Sequence, residues 1–292
     1  MQVRKTYRVA GHTFSFVADE ERMSKLNLDN YAPFEAEGGE NLFSVELVNS
    51  LEIDKKEKIY VSAPESGEQR IDLYSIDGGY LFEMSPEGNM PVTARLECDP
   101  SFTEGRLSTV GKFRNFAVNN ALMLMYAFRT ATLGTLEMHA SVTVKDGKGY
   151  LFLAKSGTGK STHSRMWLEN IPGTHLLNDD NPVVRFIDGK TIVYGTPWSG
   201  KTPCYRNEEY PVGAFVRINR APRNAISRLS LPEAFASVSS SSSGLRALKG
   251  MGDGLFETIS SIVQDVPCYL LDCLPDKEAA KVCCSEVTKG NG

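Results

Sequence analysis

Two short stretches hold residues whose types and spacing suit chemistry on phosphate. One is Ala154-Lys155-Ser156-Gly157-Thr158-Gly159-Lys160-Ser161-Thr162, a glycine-rich turn that ends in a lysine and two hydroxyls. Gly157 and Gly159 let the backbone turn so that successive N–H groups point inward at phosphate oxygens. Lys160 adds a point charge near the β and γ positions of a nucleotide, and Ser161 is placed to ligate Mg2+. The same serine lies at the start of an expected helix, whose N-terminal dipole favours anions. Ser156 to Thr162 are therefore the expected cradle for ATP. The run matches the Walker pattern except that Ala154 replaces its first glycine, a small loss because that residue ends a strand and need not touch phosphate.

The other stretch is Leu176-Leu177-Asn178-Asp179-Asp180, an apolar strand that delivers two acids at its carboxyl end. Ligands collect at that end of an α/β sheet. One carboxylate can hold Mg2+, and the second can take a proton from an attacking hydroxyl. Two adjacent acids near a dication also push their proton affinities apart. Alone, an Asp-Asp-Asn turn reads equally well as a solvated loop. The glycine-rich turn about twenty residues upstream favours the catalytic reading. His139 stands in Leu136-Glu-Met-His-Ala-Ser-Val-Thr-Val144, read as a strand that pairs by a hairpin with Tyr150-Leu-Phe-Leu-Ala154. Antiparallel pairing across the hairpin brings the histidine to the end of the loop-bearing strand.

These side chains need a scaffold. Residues 1–110 read as β-rich, with short alternating runs broken by Asp/Gly/Pro/Ser turns. From Lys112 the period changes to that of a helix, FRNFAVNNALMLMYAFRTATLG, with Gly134 as its C-cap. The hairpin and the glycine-rich turn follow, then a helix over KSTHSRMWLE. Further on come strands, the capping box Ser230-Leu-Pro-Glu233, and a serine tract from Ser239 to Gly244 that reads as a flexible loop. A helix, a strand and a closing helix complete the chain. The expected organisation is an α/β (mixed α+β) protein, with a β-rich region at 1–110 and a catalytic domain at 111–292.

Among 292 residues, 32 are Lys or Arg and 36 are Asp or Glu, giving a net charge of −4. No global basic field invites nucleic acid or an acidic membrane, so any anion site must be local. No run approaches the ~18 apolar residues of a membrane helix, and the N-terminus lacks a signal-peptide pattern. A cytoplasmic protein is expected. Six cysteines show no CxxC spacing and read as free thiols.

The order His139, hairpin, Ser-Gly-x-Gly-Lys-Ser, then Leu-Leu-Asn-Asp-Asp resembles the HPr kinase/phosphorylase and phosphoenolpyruvate carboxykinase superfamily. The resemblance is dense over Leu136–Asp180. It implies a carboxykinase-like P-loop fold, with Lys160 and Ser161 on phosphate and Mg2+. Asp180 matches the second aspartate, the proton acceptor of the kinase branch and a metal ligand in the carboxykinase branch. Asp179 would be its partner near the metal. His139 matches the histidine that supports the catalytic acid in the kinases and binds transition metal in the carboxykinases. Thr191–Gly200 offers no acid where the kinase branch supplies a second Mg2+ ligand, so the nearer comparison is with HPr-kinase-related proteins, free-serine kinases included.

The expected activity is transfer of the ATP γ-phosphate to an unidentified hydroxyl acceptor, a small molecule or a protein serine, with Mg2+ or alternatively Mn2+. Two other readings stay open. One is a carboxykinase-type lyase on a small oxyacid, and the other an inactive nucleotide-binding regulator. A homo-oligomer follows by analogy alone. Trp198 and Lys201, in YGTPWSGKTPCYR, are candidates for lining an acceptor pocket. Arg217, Arg220, Arg223 and Arg228 form a basic run in which one is a candidate phosphate clamp and the others are expected to be solvated.

Overall fold

The computed structural model describes residues 1–53, 55–62, 64, 67–155, 157–200 and 202–289. The chain forms two compact units, Met1–Arg129 and Thr130–Gly292. Among the described residues, no helix is long and apolar enough to cross a membrane.

The first unit is a mixed eight-stranded sheet. Its elements are β1 (Gln2–Val9), β2 (His12–Asp19), a single turn α1 (Glu20–Met23), β3 (Asn41–Leu47), β4 (Glu57–Tyr60), β5 (Arg70–Ile76), β6 (Gly79–Ser85), β7 (Ala94–Cys98), β8 (Glu104–Thr109) and the helix α2 (Arg114–Thr130). The strand order is β1-β2-β3-β8-β7-β6-β5-β4. Seven of these strands fall on the apolar runs of the sequence; β8, with Gly105 and Arg106 inside it, carries no such run and is not expected from it. Helix α2 belongs to this unit, so the division falls at Arg129 and not at the expected 110. Its aromatic face is what binds it: Tyr126 donates its hydroxyl to Val9 O at 3.2 Å, and Phe128 packs edge-on against Phe82 at 5.2 Å.

The second unit contains β9 (Thr135–Glu137), β10 (Ala140–Lys145), β11 (Lys148–Leu153), α3 (Lys160–Asn170), β12 (His175–Asn178), β13 (Val183–Ile187), β14 (Lys190–Tyr194), β15 (Glu209–Arg220), β16 (Ala225–Arg228), α4 (Leu231–Ser239), α5 (Lys249–Asp265), β17 (Cys268–Cys273) and α6 (Lys277–Val287). The sheet runs β12-β10-β11-β15-β14-β13-β9, with β17 beside β15 and β16 beside β17. β11, β15 and β17 are parallel, and β10 pairs antiparallel with both β11 and β12. The unit is thus mixed α/β. The β10–β11 turn uses Asp146 and Gly147, both at positive φ (50° and 72°), which suits the right-handed twist of a two-residue hairpin.

One face of this sheet packs against α3 and α6. Tyr150, Phe152, Trp167, Val216 and Leu271 form the centre of that core. Trp167 is fully buried and gives its indole N–H to His163 Nε2 at 3.1 Å, and both rings of α3 pack on Phe152 of β11, at 5.4 and 4.7 Å. The expected capping box at Ser230–Glu233 is formed, with the Glu233 side chain accepting from Ser230 N at 2.9 Å.

Two further sequence expectations differ from the structure. Leu136–Val144 is not one strand: β9 pairs with β13, β10 pairs with β11 and β12, and the chain breaks between them at Met138-His139. The serine tract is not a loose loop either. His139 N donates to Ser241 O at 2.7 Å, Ser243 N to Glu137 O at 2.9 Å, and Met138 and Ser242 form a bridge. The tract therefore lies along the break like a short extra strand. Serine permits this because a small side chain allows close backbone approach while its hydroxyl satisfies buried donors.

Candidate active site

The end of β11 sets the loop. Ala154 is buried; then Gly157 and Gly159 adopt φ of +70° and +130°, values that L side chains rarely take. A Cβ at either glycine would meet nothing within 4 Å, so conformation and not crowding requires glycine here. Thr158 N bonds Lys155 O at 3.2 Å, closing the turn. Ser156, expected in the cradle, lies outside the described residues. Gly159 is the N-cap of α3 and supplies no side-chain cap, so the helix's first amides are left for another acceptor. Ser161 is exposed and Thr162 half-buried in that first turn. Loop amides, a helix N-terminus and a lysine together favour an anion.

Lys160, only 7% exposed, does not reach into solvent. Its Nζ lies 2.8 Å from His139 Nε2, and the same nitrogen is 3.2 Å from Asp180 Oδ1. One ring nitrogen holds either a proton or a lone pair, so it cannot serve both neighbours at once. With Nε2 unprotonated it accepts from the Lys160 ammonium. With Nε2 protonated it donates to Asp180. His139 is thus placed to change partner when the charge around Lys160 changes. It occupies the break between β9 and β10, which lets its side chain leave the strand ladder.

Asp179 and Asp180 have separate environments. Asp179 is 3% exposed and accepts from Ser141 Oγ at 3.2 Å and from Thr202 N at 3.2 Å. Ser141 Oγ is in turn 2.6 Å from Ser164 Oγ on α3, which ties β12, β10 and the helix together. Asp180 is about one-third exposed and accepts from Asn181 Nδ2 at 3.0 Å. Burial pushes its carboxyl up, but the bond and charge of His139, the charge of Lys160 and the Asn181 amide outweigh that and hold it below the usual value. Asp180 is consequently an anion beside the loop, and Asp179 a buried brace behind it.

The turn that carries both acids hangs on Asn178. This fully buried amide accepts from Asp180 N and Asn181 N at 2.9 Å and donates to Thr196 Oγ1 and Trp198 O at 3.0 and 3.1 Å. Trp198 is buried and acts as an anchor for its loop, not as a lining of an acceptor pocket. Lys201 lies outside the described residues. Gly200 sits directly on the acid: a Cβ there would stand 3.0 Å from the Asp180 Cβ.

Several contributors went unread in the sequence. Ser141 is the second residue of β10, just past the break at His139, and no local pattern marks it. Glu137 is 2% exposed, and its Oε1 has no hydrogen-bond partner among the described residues. Burial raises its carboxyl to about 7, against a bond from Ser243, with the Asp180 charge pushing the same way as burial. A cavity of about 570 Å3 lies beside the loop, where Met166, Ile218, Pro222 and Pro275 meet Thr158 and Gly159. The basic run was read as clamp or solvated face; Arg223 and Arg228 are exposed, whereas Arg217 and Arg220 bond the protein's own serines and carbonyls. Among the described residues, no three or more His, Cys, Asp or Glu groups gather as a metal cluster.

No known protein-family profile matches the chain, and no curated protein does. Among solved structures, the HPr(Ser) kinase/phosphatase from Coxiella burnetii is similar over 53% of this chain and 99% of its own, at 13% identity and a TM-score of 0.34. That is a distant structural relationship, too slight to bear on activity or acceptor.

Proposed function

We propose that the second unit is a phosphotransferase that binds Mg·ATP at Gly157–Thr162 and passes the γ-phosphate to a hydroxyl acceptor. The observation that carries this reading is the contact chain Lys160–His139–Asp180, 2.8 and 3.2 Å long, at the mouth of a glycine-rich loop and a helix N-terminus. Loop amides and Lys160 would hold the terminal phosphates, and Asp180 would take the proton of the attacking hydroxyl. A lowered proton affinity suits a base that must be ionised when the acceptor arrives. The phosphates would draw Lys160 away from His139, and the tautomer that carries the ring proton on Nε2 would then donate to Asp180 and orient it. Asp179, bonded to Ser141 and Thr202, would keep the acid turn in place.

The oxygen donors fit Mg2+, which takes one or two carboxylates together with nucleotide phosphates and retains several waters. Ser161 and Asp180 would hold it, backed by Asp179. Its contribution when bound is to neutralise phosphate charge. The base and ribose would occupy the cavity beside Met166 and Pro275, whose volume and mixed lining suit a nucleoside. Catalysis would then be mainly positioning and charge stabilisation.

The test is a γ-labelled ATP assay against free amino acids, small hydroxyl metabolites and cell extract. Label on a hydroxyl product is expected. Absence of nucleotide binding would refute the proposal. Tight Mg·ATP binding with no loss of the γ-phosphate across that screen would show a nucleotide-responsive regulator instead.

A further inference from the structure

Strand β15 runs beside the loop-bearing strand, with Arg217 paired to Leu153, the last residue of β11. Arg217 and Arg220 are three residues apart on one strand, so they leave it on opposite faces. Each meets a different part of the site, and neither meets a carboxylate among the described residues.

On one face, Arg220 donates from Nη2 to Gly157 O at 2.6 Å and from Nε to Thr158 O at 2.9 Å. A peptide plane is rigid, so a carbonyl held outward fixes the following N–H inward. Arg220 therefore sets the direction of the Thr158 amide, which closes the turn onto Lys155 O, and of the Gly159 amide that follows it. On the other face, Arg217 bonds the serine tract: Ser237 O, Ser237 Oγ at 3.0 Å, Ser240 Oγ at 2.8 Å and Ser241 Oγ at 3.0 Å. Ser241 O is the acceptor of the His139 amide. Arg246 grips the same tract through Ser239 and Ser242. Burial of Arg217 without an anion is unfavourable, and its serine contacts offset that.

We propose that β15 frames the site with this arginine pair, Arg220 aligning the phosphate-binding amides and Arg217 aligning His139 through the serine tract. Both are positioning residues. The division of labour rests on the phosphotransferase reading, but the alignment itself does not. The consequence is a separation of effects: loss of Arg220 impairs nucleotide binding, and loss of Arg217 impairs turnover.

Amide hydrogen exchange on the nucleotide-free protein comes first. Arg217→Gln should speed exchange at His139 by about tenfold or more without changing Thr158 and Gly159, and Arg220→Gln should do the reverse. Mg·ATP binding and ATP turnover, with water as the hydroxyl acceptor, follow. Arg220→Gln should raise Kd by about tenfold. Arg217→Gln should leave Kd within about twofold and lower kcat by about tenfold or more, with partial recovery in Arg217→Lys. If Arg217→Gln fails to fold, Ser241→Ala replaces it, removing one Arg217 contact while keeping the carbonyl that holds His139; a smaller change in the same direction is expected. Unchanged exchange at His139, or equal losses of binding and turnover in both variants, would overturn the frame. A parent protein that binds no Mg·ATP would refute the functional reading, while the exchange pattern would still judge the frame.

Discussion

Gly157 and Gly159 sit in a loop with open space around them, closed by one backbone bond at Thr158 and held from outside by Arg220. Asp179 and Asp180 occupy a turn where Asn178, Ser141, Thr202, Asn181 and His139 all bond it. The loop is a local device, shaped by glycine dihedrals and a helix start, and it leaves the first amides of α3 available to an incoming anion. The acid turn is a tertiary device, whose donors come from positions far apart in the chain. A phosphate cradle can be sparse because its ligand completes it, whereas carboxylates that must keep separate roles need their neighbours fixed beforehand.

The two halves should fail differently. Lys160→Ala should abolish stabilisation by Mg·ATP in thermal denaturation and reduce turnover by about a thousandfold. Asp180→Asn should keep that stabilisation but slow transfer by about a hundredfold or more. Parent-rate turnover in Asp180→Asn would remove it as the base. Asn178→Ala should destabilise the fold by about 2–4 kcal/mol in chemical denaturation, since two amides and two acceptors lose a buried partner.

Glycine substitutions sharpen the contrast at smaller scale. Gly159→Ala forces φ of +130° on an L residue, so nucleotide affinity should drop with the carboxylates untouched. Gly200→Ala presses on Asp180 and should lower kcat several-fold, with ATP affinity unaltered. An equal loss of affinity in both would contradict the division.

A further effect is a pH dependence of stability. Glu137 keeps its proton to about 7 when folded, against an ordinary value of 4.5 when unfolded. The folded state therefore binds more protons between those values, and stability falls as pH rises from about 4.5 through 7. Glu137→Gln should remove that fall. It should raise stability at pH 8 by about 1–3 kcal/mol relative to the parent and make little difference at pH 4. Denaturation midpoints at the two pH values provide the check; a parallel shift at both would mean that packing, not ionisation, dominates.

The same contrast explains how much was legible in the sequence. Glycines, lysine and the helix after them form a contiguous signature, so residues 157–162 could be assigned from spacing. The acids were legible as a strand end, yet their unequal environments depend on Ser141 and Thr202, which no local pattern marks. His139 was placed in the correct neighbourhood but in the wrong element, because a bulge-like break between β9 and β10 leaves no trace in a stretch without glycine or proline. The serine tract misled for a related reason: its composition signals looseness, while two arginines and a strand edge hold it rigid. Helix α2 has a clear period, but periodicity says nothing of which sheet it covers.

Asn178 joins the acid turn to the loop at Thr196–Trp198 through a single amide. On the proposed phosphotransferase reading, any remodelling of that loop to admit a different acceptor would also tug on the acids proposed to activate it. Substrate range and chemical competence are mechanically coupled at this point, so a change of acceptor would require compensating substitutions around residue 178 rather than exchange of the loop alone.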